Sequence, residues 1–124
     1  MKTAMLLLGS ASSLILGCAT VFPPPAQHLA DAQSAERAAS EVGAANQPKA
    51  QLHLQLAHDQ IIQANAAIRD GDNEKADRLL VRAKSDAELA IALTREENAK
   101  VEAQSAITQS NNQRTVNANQ GAQQ

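Results

Sequence analysis

Cys18 has the clearest capacity for chemistry in this 124-residue chain and is its single cysteine. With no second thiol, an intrachain disulfide and a cysteine-based zinc site are both excluded. What precedes it gives the thiol a context: Lys2, then an uncharged stretch from Ala4 to Leu16, ending in Leu14-Ile15-Leu16-Gly17 directly before Cys18. A positive start followed by a short apolar run reads as an export leader, here residues 1–17. The run falls short of the roughly 20 apolar residues that a membrane-spanning helix needs.

The other chemistry-bearing side chains are His28, His53 and His58 and the neighbouring acids Asp70 with Asp72 and Glu96 with Glu97. His53 and His58 are five residues apart, about 140° around a helix, which is poor placement for a shared metal. They are expected to be exposed or half-buried, with no metal site. Catalytic carboxylates need a pocket that raises one pKa. The paired acids are therefore expected to be helix caps and solvated positions. No nucleophile motif or glycine-rich phosphate loop accompanies them, so no catalytic residue and no enzyme activity are expected.

The Leu14 to Cys18 pattern resembles the lipobox of bacterial lipoproteins. That resemblance implies that a peptidase cuts at small Gly17, before Cys18, and that the protein is anchored through diacylglycerol on the Cys18 thiol and an N-acyl chain such as palmitate on its freed amine, with no other cofactor. Ala19 stands where an Asp would resemble the inner-membrane retention signal, so the expected location is the periplasmic face of the outer membrane. Two or three acyl chains anchor stably where one does not, at about 0.8 kcal/mol per buried methylene.

Removing residues 1–17, whose only charge is Lys2, leaves 107 residues with ten basic and thirteen acidic side chains. This mild acidity offers no clustered basic face for nucleic acid. The elements that would carry any function are helical: alanine makes up about a fifth of the chain, Trp and Tyr are absent and Phe22 is the single Phe. Alanine is the best helix former, so the fold class is all-α.

The order expected along the chain is a lipidated proline-rich tether over 18–25 and then a helical domain over 26–108, with helices at about 26–42, 48–70 and 73–108. The prolines at 23–25 favour an extended spacer. Gly43 suits a left-handed C-terminal cap, Pro48 an early helical position, and Gly71-Asp72 a stop followed by an N-cap. Apolar seams run through Ala32, Ala35, Ala39 and Val42, through Leu54, Ala57, Ile61, Ala64 and Ile68, and through Ala76, Leu80, Ala83, Ala87, Ala90 and Thr94. Leu52, Leu56 and Ala67 form a second stripe on helix two, which suggests contact with more than one helix. An antiparallel three-helix bundle, or a helical hairpin with a long third helix, follows. The Gly71-Asp72 turn is also similar to half of a tetratricopeptide repeat, but a single unit cannot build a solenoid.

The third helix should overhang its neighbours by about 20 Å, with Val101 and Ile107 as a sparse seam for a coiled-coil partner. Residues 109–124, mostly Gln, Asn and Ser with Val116, are expected to be a disordered tail.

These landmarks resemble small alanine-rich helical bacterial envelope lipoproteins catalogued as a domain of unknown function, in which the same segment often precedes an OmpA-like domain. The matching residues are the lipobox cysteine and prolines, Leu29-Ala30-Asp31-Ala32, Gly43-Ala44-Ala45, Pro48 with Leu52, Ala67 to Asp72, Ala76, and Ala83 to Ala90. The position after Gly71-Asp72 is often aromatic in such proteins and is Asn73 here. No OmpA-like domain follows, so peptidoglycan binding does not carry over. Together, residues and resemblance suggest a non-enzymatic, lipid-anchored, periplasm-facing helical lipoprotein with a structural or adaptor role, whose partners are the membrane and either another copy or another envelope protein. The alternative is a ligand-binding or chaperone-like module for peptide, lipid or peptidoglycan fragments.

Overall fold

A computed structural model of the chain describes residues 22–122. The leader, Gly17, Cys18 and the first part of the tether lie outside the described residues. Three α-helices follow in order: α1, Ala26–Glu41; α2, Pro48–Arg69; and α3, Asn73–Gly121, with a short 3-10 turn at Ala44–Asn46 between the first two. Among the described residues there is no strand, and the all-α bundle expected from composition is the fold.

Each boundary has a local cause. Pro25 precedes α1, and its carbonyl accepts from the Leu29 amide at 3.0 Å. Gly43 stops α1 in the left-handed region at φ 88°, a conformation that other L-residues adopt only at a cost. Pro48 opens α2, where its missing N–H leaves no bond unmade. At the far end of α2, the Asp72 amide donates to the Ala67 carbonyl at 2.9 Å and the Gly71 amide to the Ile68 carbonyl at 3.1 Å, with Gly71 at φ 79°. This is the Schellman arrangement that satisfies the last carbonyls of a helix. Asp72 then caps α3 by accepting from the Lys75 amide at 3.1 Å. With so few residues between α2 and α3, the two helices fold back on each other as an antiparallel pair.

The core is built mainly from alanine. One cluster joins Ala32 of α1, Ile61, Ala64 and Ala67 of α2, and Ala76, Leu79, Leu80 and Ala83 of α3, with Leu29 and Ile68 against it. A second joins Ala39, Ala44, Ala50 and Ala90, flanked by Leu54, Ile91 and Leu93. The largest fully buried side chains are Leu80 and Thr94. Small residues at the seams let helix axes approach toward the short end of the roughly 8–10 Å range. Every seam position expected on α3, from Ala76 to Thr94, is buried.

Three expectations need correction. Leu52 is 59 % and Leu56 38 % exposed, so of the second stripe on α2 only Ala67 enters the core. Alanine-sized contacts close the bundle before larger side chains on that side can reach a neighbour. The end of α3 also differs: the helix does not stop near Thr108 but runs unbroken to Gly121, through most of the stretch expected to be disordered. Between Asp72 and Gly121 there is neither Gly nor Pro, so no residue interrupts the backbone ladder. The polar composition of 109–121 leaves that stretch without packing, not without helix. The overhang is correspondingly longer than 20 Å: every described residue from Arg95 onward is exposed, and Asn98 to Gly121 measures about 36 Å at 1.5 Å per residue.

Candidate interaction surface

The bundle has two distinct ends. Asn73, the first residue of α3, donates from its side-chain amide to the Phe22 carbonyl at 2.8 Å. That contact puts Phe22 beside the α2–α3 turn, at one end of the bundle. The α1–α2 connection lies at the other end, and α3 continues beyond it.

Along the sides, all three histidines bridge helices. His28 Nδ1 lies 2.5 Å from Asp77 Oδ1 and joins α1 to α3. His53 Nδ1 lies 2.9 Å from Asp86 Oδ1 and joins α2 to α3, with the Gln60 amide donating to the second Asp86 oxygen at 2.8 Å. His58 Nδ1 lies 2.6 Å from Glu36 Oε1 and joins α2 to α1. His53 is half-buried, while His28 and His58 are exposed. No sequence signal announces these pairs, because the partners are 22 to 49 residues apart. Exposed pairs such as His28–Asp77 and His58–Glu36 contribute little to stability. Among the described residues, no group of three or more His, Cys, Asp or Glu side chains is arranged to hold a metal ion.

One further ion pair, Lys84 with Asp31, also joins α3 to α1, while Glu96 with Lys100 lies within α3. The Gln27 side-chain amide, and after it the Lys84 ammonium 3.4 Å away, hold the Asp31 carboxyl below its ordinary value against the opposing effect of burial. Near the top of the bundle, Lys100 hydrogen-bonds Glu96 at 2.6 Å, which lowers the Glu96 carboxyl and raises the Lys100 ammonium. The acids first weighed for catalysis are dispersed. Asp72 caps α3, Glu96 pairs with Lys100, and Asp70 and Glu97 are exposed.

The distal half of α3 offers the largest free surface. Val101 is 59 % and Ile107 55 % exposed, yet they do not form one seam. Six residues apart on a continuous helix, they point about 120° away from each other, which corrects the expected pairing. Val101 instead shares a shallow hollow with Gln104, Ser105, Thr108, Asn112 and Val116. A second hollow, lined by Pro48, Lys49, Leu93, Glu96, Glu97 and Lys100, marks where the start of α2 meets α3 and the free segment begins.

A family model described as a domain of unknown function, DUF4398, matches residues 27–106. The chain belongs to the DUF4398 family. The matched segment contains the three-helix bundle and continues past Thr94, the last buried residue of α3, into the exposed stretch. No curated protein and no solved structure matches the chain significantly. Among the described residues no helix is long and apolar enough to cross a membrane. The DUF4398 segment is a thin alanine-cored bundle with Phe22 and the start of α1 at one end and a projecting helix at the other.

Proposed function

We propose that this DUF4398 protein is a non-enzymatic lipoprotein, held on the periplasmic face of the outer membrane by lipid on Cys18 and acting as a structural or adaptor module through helix–helix contacts. The observation that carries this reading is polarity. Phe22, four residues after Cys18 of the lipobox-like pattern, lies at the α2–α3 turn, while about 36 Å of exposed helix extends from the opposite end. An anchored rod of this shape carries its free contact surface away from the lipid. The core is consistent with the same reading, since alanine-sized side chains fill it and the hollows along the rod are shallow and open.

The test is metabolic labelling with a clickable fatty-acid analogue in cells that express the full chain, combined with membrane fractionation. Label is expected on the wild-type protein in the outer-membrane fraction and absent from Cys18→Ala. An unlabelled wild-type protein, or label that persists in Cys18→Ala, would remove the anchor from the account.

A further inference from the structure

The face of α3 that packs inside the bundle does not end where the bundle ends. Leu80, Ala87 and Thr94 recur every seven residues and are buried. The same interval continues to Val101, Thr108 and Thr115, all exposed. On a continuous helix, residues seven apart drift by only about 20° per step, so the free line prolongs the packed one. The exposed part is thus the continuation of an existing helix–helix interface.

Two features select the occupant. The first is direction: Ala44, in the α1–α2 connection, packs with Ala90 of α3, and Pro48 and Lys49 border the hollow that also contains Glu97 and Lys100. The connection therefore blocks this side of α3 from below. A second copy laid along the free face must keep its own bundle beyond the open end, so its α3 runs opposite to this one. The second is self-complementarity: Glu102 and Arg114 are the only charged residues from Val101 to Gly121, so the segment is neutral overall. Its Asn, Gln, Ser and Thr side chains each donate and accept hydrogen bonds, so two identical segments can satisfy one another. The free length from Asn98 to Gly121, roughly 36 Å, is matched by an antiparallel copy of itself.

We propose that the distal face of α3 binds the same face of a second copy of this chain, antiparallel, with Val101 opposite Ala118 of the second copy and Thr108 opposite Asn111. The pairing deepens the contact role proposed above and rests on the Cys18 anchor only for its membrane consequence. The two tether ends would stand about 110 Å apart at opposite ends of the dimer. With lipid on both, the dimer carries a lipid anchor at each end.

The test uses two forms of the full chain, one carrying Val101→Cys and the other Ala118→Cys, expressed together and treated with a short thiol-reactive crosslinker. Peptide mapping separates products formed through Cys18. A 101–118 product can only form between copies, and it is expected to exceed the 101–101 product at least tenfold. Ile107→Cys, on another side of α3, is expected to give no product between copies. A dominant 101–101 product would establish parallel pairing and overturn the proposal, and so would the absence of any product between copies at 101 and 118. Loss of lipid labelling at Cys18 with the 101–118 product intact would refute the anchor and leave the dimer standing.

Discussion

At the residue scale, the fold depends on alanines that have no room to be anything else. Ala87 is fully buried at the α3 seam, between Ala83 and Ala90. Replacing it by Leu adds three carbons where helices meet closely, which costs about 1–3 kcal/mol through forced separation or off-rotamer packing. Chemical denaturation of Ala87→Leu is therefore expected to show a lowered midpoint, whereas Leu89→Ala, at a position 42 % exposed, is expected to shift it little. Asp31 makes a second prediction. Its carboxyl is held down in the folded state by Gln27 and then Lys84, so the folded protein binds fewer protons there than the unfolded chain does. The resulting stabilisation is complete above the unfolded value of about 3.9 and is lost as pH falls through the lower folded value. Wild-type thermal midpoints should exceed those of Asp31→Asn near neutral pH, and the gap should close on acidification below about pH 4. A gap that widens in acid would contradict the assigned contacts.

At the scale of elements, the helices were legible because their signals are local and redundant. Alanine content, the three- and four-residue spacing of apolar positions, and Gly43, Pro48 and Gly71-Asp72 between the segments all describe the same three helices. The end of α3 was not legible from the same signals. Few apolar residues follow Thr94, and this sparseness suggested a tail, but it bears on packing, whereas helix continuity depends on the absence of breakers through Gly121. The histidine–carboxylate bridges were illegible for a different reason: they depend on how each helix is rotated in the bundle, which residue types alone do not specify. Val101 is exposed on the projecting helix, but the residues that share its face were not legible from its pairing with Ile107. The seven-residue interval from Leu80 through Val101 to Thr115 was the signal that could have found them. Because nothing of the described chain covers α3 beyond Thr94, breaking it there should spare the bundle. Ser105→Pro removes a backbone hydrogen bond and clashes with the preceding turn, at a local cost of about 3 kcal/mol. Helical ellipticity is expected to fall while the unfolding midpoint of the bundle stays in place. A midpoint that falls with the ellipticity would mean that the distal helix packs on the bundle.

At the scale of the whole molecule, the DUF4398 segment is a rod with unlike ends. The α2–α3 turn and the tether mark one end, and the projecting helix marks the other. On the proposed reading, lipid at Cys18 gives this rod its orientation, the alanine core keeps it slim, and α3 carries the contact surface outward. The most direct measurement of that claim is photo-crosslinking in living cells, with a photoreactive amino acid placed in turn at Val101, Thr108 and Ile107. The account predicts protein-specific products from Val101 and Thr108 and none from Ile107. Equal products from all three positions, or none from Val101 and Thr108, would contradict it.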